Sequence, residues 1–257
     1  MSLKNLMDLN GRVALITGGS RGLGLQMGEA LGELGAKLAI TARKPDELEQ
    51  AAEHLRGQGI EVLPVQADIG DFDGIPGLVD TVVQHYGNID ILVNNAGTSW
   101  GAAAEEHPKD GWDKVMNVNV NGLWLLTQEV GRRCMIPNNY GKIVNTASVA
   151  GLLGNPLGVN TIAYNTSKGA VVNFTRALGA EWGKYNITVN AICPGVFPSK
   201  MAQTLVDNFS KQIIASTPLQ RLGGEEDLKG LVAYFATDAS RHVTGQYVAV
   251  DGGASII

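Results

Sequence analysis

The chain has 257 residues, enough for one large α/β domain with a sizeable core. Hydrophobic residues make up 44% and charged residues 18%, an ordinary balance for a globular protein and a poor one for a disordered chain. The net charge of −5 speaks against nucleic-acid or anionic-membrane partners, which favour basic patches.

The first predicted strand covers residues 12–17, with Val13-Ala14-Leu15-Ile16 at its centre. Thr17-Gly18-Gly19-Ser20-Arg21-Gly22-Leu23-Gly24 follows at once, then a helical pattern over 22–34. Glycines suit such a turn because a backbone without Cβ reaches positive φ and approaches a phosphate closely. The N-terminus of the following helix offers free N–H groups and a favourable dipole to that phosphate. Gly18, Ser20, Arg21, Gly22, Leu23 and Gly24 are therefore candidate cofactor contacts. A second strand, 37–42, ends at Ala42 with Arg43 and Lys44 beyond. A carboxylate there would hold the ribose hydroxyls of NAD. Two arginines, Arg21 and Arg43, suit a 2′-phosphate instead, which Arg grips bidentately. The expected cofactor is NADP(H), with NAD(H) possible.

Further strands are predicted at 60–67, 89–94, 141–147, 187–193 and 246–250. Helices are predicted at 45–57, 71–86, 108–135, 162–184, 200–214 and 225–237. The alternation predicts an α/β fold, a single doubly wound Rossmann-type domain with a seven-stranded parallel sheet and helices on both faces. Ligands of such sheets bind beyond the C-terminal strand ends. Asp68-Ile69, Asn94-Asn95-Ala96-Gly97, Ser148 and Pro194-Gly195 all follow strands, so they should meet in one crevice. Asp68 also stands where it could N-cap a helix starting at Asp71. Tyr164 and Lys168 are four apart on a predicted helix, hence on one face. A positive charge beside a phenol favours the phenolate, so this pair can form an acid/base device.

Together these motifs resemble the classical short-chain dehydrogenase/reductase family over nearly the whole chain. The resemblance rests on Thr17-Gly18-x-x-x-Gly22-x-Gly24, Asp68, Asn94-Asn95-Ala96-Gly97, Asn119, Ser148, Tyr164/Lys168 and Pro194-Gly195, all in the family's order. It implies that Tyr164 is the general acid/base and that Ser148 orients a substrate carbonyl. It implies that Lys168 lowers the phenol's pKa and holds the nicotinamide ribose, and that Asn119 supports a water leading protons to Lys168. It also implies cofactor contacts from Asp68, Ile69, Asn95, Ala96, Gly97, Pro194, Gly195, Phe197 and Ser199. The Ser148–Tyr164 spacing is longer than the family's usual one, and the extra length falls in a loop at 152–161.

The nearest group within the family resembles 3-oxoacyl-(acyl-carrier-protein) reductases, on Pro194-Gly195-Val196-Phe197-Pro198-Ser199-Lys200. Gluconate 5-dehydrogenase-like sugar reductases come second, and a non-catalytic cofactor-binding regulator is a remote third. The expected substrate is a small ketone or secondary alcohol. An acyl carrier is a possible partner, with Lys200 and Arg132-Arg133 as its only candidate cations. Met201, Leu205 and Phe209 share one helical stripe in the substrate segment 196–220 and fit either packing or substrate contact. Family analogy implies a homotetramer that pairs the 108–135 and 162–184 helices, with the C-terminal segment 251–257 near a second interface. Cys134 and Cys193 read as reduced core thiols, and the scattered histidines give no metal-ligand spacing. With no signal pattern and no apolar run near the ~20 residues of a membrane span, a cytoplasmic location is expected.

Overall fold

The computed structural model describes residues 1–156 and 158–257. Seven strands form one parallel sheet in the order β3-β2-β1-β4-β5-β6-β7. They are β1 (Val13–Thr17), β2 (Lys37–Ala42), β3 (Val62–Gln66), β4 (Ile91–Asn94), β5 (Gly141–Thr146), β6 (Ile187–Pro194) and β7 (Tyr247–Val250). The central strands are continuous apolar runs because both their faces are covered. Alternate residues supply two cores. Ala14, Ile16, Leu38 and Ile40 pack on one side with Met27, Leu31 and Phe235. Val13, Leu15, Ala39 and Leu92 pack on the other with Val79, Val82 and Leu126. From β1 the chain runs outward to β2 and β3, then returns to place β4 on β1's other side. That reversal opens the crevice where doubly wound sheets bind ligands.

The helices are α1 (Leu3–Leu6), α2 (Gly22–Glu33), α3 (Pro45–Gly57), α4 (Ile75–Tyr86), α5 (Lys109–Met116), α6 (Leu123–Val130), α7 (Ile162–Trp182), α8 (Gln203–Ser216) and α9 (Lys229–Ala236). Four differ from expectation, and α1 is additional. The helix expected from 71 starts at Ile75, because Asp71 N–H closes a turn on the Asp68 carbonyl. Its N-cap position is Gly74, so the expectation that Asp68 caps it is corrected. The single helix expected over 108–135 is α5 and α6 joined by a π turn, Asn117–Gly122, and ended by a second, Gly131–Met135. The helix expected from 200 starts at Gln203, after a turn in which Ala202 N–H donates to the Ser199 carbonyl and hydroxyl oxygens. The helix expected from 225 starts at Lys229, because Asp227 is tied back to Gly224 N–H and Arg221. No helix among the described residues is long and apolar enough to cross a membrane.

Candidate active site

The glycine turn is held by its neighbours as well as by its own backbone. Thr17 Oγ1 accepts the N–H groups of Asn95 at 3.0 Å and Ala96 at 2.9 Å. Asn95 Nδ2 donates to the carbonyls of Thr17 and Gly18 at 3.0 and 3.2 Å. Gly18 has a φ of +64°. A Cβ on Gly24 would lie 2.2 Å from the Gly18 carbonyl oxygen. The first turn of α2 is thus pressed against the loop it follows, and the cradle admits no side chain there. Bare N–H groups at this helix start fit the phosphates of a dinucleotide.

Ser148, Tyr164, Lys168 and Asn119 converge beside this cradle. Ser148 stands just after β5, its hydroxyl accepts Ala150 N–H at 3.1 Å, and the Tyr164 phenol is its neighbour. Tyr164 and Lys168 share a face of α7, with the ammonium 5.6 Å from the ring centre. Lys168 Nζ donates to the Thr146 carbonyl at 2.6 Å, deep in the protein. Burial pulls its pKa down to about 8. Burial also pushes the Tyr164 phenol up, opposed by the neighbouring Ser148 hydroxyl. Desolvation is the largest influence on the phenol here, and the Lys168 ammonium is turned toward Thr146.

Asn119 lies in the π turn and is fully buried. Its Oδ1 accepts Thr98 N–H at 2.8 Å, and its Nδ2 donates to the Thr98 carbonyl and Ser167 Oγ, each at 2.9 Å. A methyl on Gly97 would come 3.4 Å from Asn119 Oδ1 and 3.6 Å from Lys168 Nζ. The turn after β4 therefore presents only backbone to both side chains, which leaves room for a bound ring or water.

At the far end of the crevice lies a basic corner. Arg21 reaches Glu47 Oε2 at 3.0 Å and Arg43 stands 3.9 Å from Asp68. Lys44 bonds Glu47 Oε1 at 3.1 Å. Asp68 also accepts Gly70 N–H at 2.9 Å. The adjacent cations hold the Glu47 carboxyl below its usual range, Lys44's hydrogen bond first among them. This donor set and the glycine cradle fit a nicotinamide dinucleotide that carries a 2′-phosphate.

Two expected contacts are limited to their backbone. The Ile69 side chain is buried in the core against α4, and the Phe197 ring is buried against Gly223. Gly195 follows β6, and the Ser199 hydroxyl accepts Ala202 N–H at 3.2 Å. Several site residues were not singled out from sequence: Thr17 and Ser167 as braces, and Glu47 as counter-ion. Thr17 had a signal, since it opens the glycine motif, whereas nothing local marks Glu47 or Ser167. The added loop forms a cleft of about 270 Å³ with Ala102, Leu153, Asn155, Asn160, Thr161 and Asn165 in its walls. Asn165 fastens that loop to α7, donating to the Ala150 carbonyl and to Asn155 Oδ1, each at 2.9 Å. Among the described residues no group of three or more His, Cys, Asp or Glu side chains is placed to hold a metal ion.

A Rossmann-type sheet with this cradle and this Ser, Tyr and Lys set defines an oxidoreductase. The family model for short chain dehydrogenases matches residues 12–209, and the chain belongs to the short-chain dehydrogenase/reductase family. It is 35% identical to a gluconate 5-dehydrogenase of Gluconobacter oxydans, over 100% of this chain and 99% of that one. It is 33% identical to a 3-oxoacyl-(acyl-carrier-protein) reductase of Staphylococcus epidermidis, over 93% of this chain and 97% of that one. The structure matches a Burkholderia cenocepacia gluconate 5-dehydrogenase in complex with NADP and tartrate. The TM-score is 0.94 at 34% identity, with all of both chains covered.

Proposed function

We propose that this protein is an NADP(H)-dependent dehydrogenase/reductase that interconverts a ketone and a secondary alcohol on a small polyhydroxylated acid, in the manner of gluconate 5-dehydrogenases. The observation that carries the reaction is the convergence of Ser148, Tyr164 and Lys168 beside the glycine cradle. Bound NADPH supplies the hydride to the carbonyl carbon. Tyr164 gives its phenolic proton to the oxygen, Ser148 orients that oxygen, and Lys168 with Asn119 stands behind Tyr164 to return the proton. Burial keeps the phenol protonated at neutral pH, the form that reduction consumes.

Two observations support the cofactor and substrate. Arg21, Arg43 and Lys44 suit a 2′-phosphate. The gluconate 5-dehydrogenase relatives put the sugar-acid reading ahead of the 3-oxoacyl one, reversing the order expected from sequence. An acyl carrier also finds few free cations. Lys200 pairs with Glu47, and Arg132 and Arg133 pair with Glu129 and Asp80.

The test is initial-rate oxidation of NADPH and of NADH with 5-ketogluconate and with a 3-oxoacyl thioester. We expect turnover of the keto acid with NADPH, and a loss of ~10²–10⁴-fold in Tyr164→Phe with cofactor binding retained. Turnover of the thioester alone would discard the substrate class, and near-wild-type turnover in Tyr164→Phe would discard the role of Tyr164.

A further inference from the structure

Lys200 leaves the end of β6 on the segment that leads to α8. Its ammonium stands 3.8 Å from Glu47 Oε1, in the first turn of α3. In the sheet, β6 lies four strands away from β2, whose end feeds α3. At the usual strand spacing that is on the order of 19 Å. The segment therefore crosses the mouth of the crevice, and Lys200 touches down on the far bank. There Glu47 gathers three cations from three parts of the chain: Arg21 from the glycine turn, Lys44 from the turn before α3, and Lys200.

The segment that carries Lys200 is loosely held. None of the 14 residues of α8 is buried. Met201 is 53% exposed and Phe209 37% exposed, so the apolar stripe expected there is not packed into the body. The Lys200–Glu47 contact ties this segment to the cofactor end, and as an exposed ion pair it holds weakly. The corner is also unbalanced. Arg21, Arg43, Lys44 and Lys200 face two paired carboxylates, Glu47 and Asp68, which leaves two positive charges unmatched. A phosphate monoester carries about −1.5 to −2 at neutral pH and three acceptor oxygens.

We propose that Glu47 is a placeholder for the cofactor's 2′-phosphate and that Lys200 is a clamp that reads it. When the phosphate enters, it takes Arg21, Lys44 and Lys200 over from Glu47, because a dianion with three oxygens outbids one carboxylate for three donors. The same exchange fixes the segment that carries Lys200 across the crevice, with α8 behind it. Lys200 is then a specificity-determining and positioning residue. It favours NADPH over NADH and couples that choice to closure over the substrate.

The inference rests on the NADP(H) reading, and the experiment separates the two. Dissociation constants for NADPH, NADH, adenosine 2′,5′-bisphosphate and 5′-AMP are measured by calorimetry on the wild type, Lys200→Gln, Lys200→Arg and Glu47→Gln. A charge-assisted contact of ordinary strength predicts that Lys200→Gln weakens NADPH and the 2′,5′-bisphosphate about fivefold, leaves NADH and 5′-AMP where they were, and is rescued by Lys200→Arg. Glu47→Gln should tighten the two 2′-phosphate ligands and not the others. Chymotrypsin cleavage within 201–216 should be slowed by the 2′,5′-bisphosphate more than by 5′-AMP in the wild type, and equally by both in Lys200→Gln. If the wild type binds NADH as tightly as NADPH, the cofactor reading fails and this inference with it. If the wild type prefers NADPH and Lys200→Gln keeps the full preference, only the clamp is overturned. Weaker 2′-phosphate binding in Glu47→Gln would overturn the placeholder role.

Discussion

Lys168 holds a cation in a place that resists cations. Among the described residues its ammonium has one hydrogen-bond acceptor, the Thr146 carbonyl, and beside it lies the buried thiol of Cys193, pushed by burial up to about 11 and therefore neutral. Burial brings the lysine from its ordinary 10.5 down to about 8. Two consequences have opposite signs. For activity, the charge that supports Tyr164 fades as pH rises through about 8, so the rate of carbonyl reduction should fall on that limb. For stability, the unfolded chain keeps this proton up to about 10.5 while the folded one releases it near 8, so the unfolded state binds more protons in between. The contribution of Lys168 to folding therefore improves as pH climbs across that window. Carbon-detected titration of labelled lysine should give one side chain titrating near pH 8, absent in Lys168→Met. Urea unfolding should show any advantage of Lys168→Met over the wild type shrinking across the same range. A lysine population that titrates wholly above pH 10 would contradict the burial argument. Sequence made the Tyr164–Lys168 pair legible through its four-residue spacing. It could not give the direction of the phenol's shift, because neighbouring charge is visible in a motif and desolvation is not.

At the level of elements, the π turn between α5 and α6 is where the structure departs furthest from a regular pattern. It carries Asn119 to the junction of three elements: the loop after β4 through Thr98, α7 through Ser167, and its own helix. π turns cluster at functional sites because one extra residue re-aims a side chain. Asn119→Ala would leave the Thr98 N–H and carbonyl without their partner in a part-buried setting. At ~1 kcal/mol per lost hydrogen bond, unfolding free energy should drop by about 2–3 kcal/mol, read from urea midpoints at unchanged slope. A loss under ~0.5 kcal/mol would mean the loop finds other partners and that Asn119 serves the chemistry alone. The π turn was not legible beforehand, since the sequence 108–135 reads as an unbroken helix. The strands were legible because burial on both faces leaves them uniformly apolar, and the glycine turn because close backbone contact demands a particular residue type. The starts of α4, α8 and α9 were misplaced where local turns closed by Asp68, Ser199 and Asp227 displace the first helical turn. The Lys200–Glu47 contact joins residues far apart in the chain, and no spacing rule announces such a pair.

Beyond the α8 segment, two groups of exposed apolar side chains bear on assembly. Trp124 on α6 is 47% exposed and Ile162, opening α7, is 43% exposed. At the sheet's edge Tyr247 and Val248 of β7 are 38% and 41% exposed, with Ile256 and Ile257 beyond them at 83% each. Isolated apolar residues on a surface mean little. These lie on the two helices and the C-terminal segment that the family resemblance assigns to subunit contacts, and an unpaired outer strand offers hydrogen-bonding groups that a soluble protein must cover or protect. We propose that the chain assembles as four copies, with α6 and α7 forming one interface and β7 with the C-terminal segment another. Light scattering on the eluting protein should then give the mass of four chains. Trp124→Glu puts a charge at the centre of the helical interface and leaves the other intact, so it should halve the mass rather than yield monomers. A truncation of Ile256-Ile257 should act on the other interface, also giving dimers, and the two changes together should give monomers. If Trp124→Glu still elutes as four chains, α6 does not form the interface. If the wild type elutes as one chain, the exposed residues are ordinary surface and the crevice works in the single subunit.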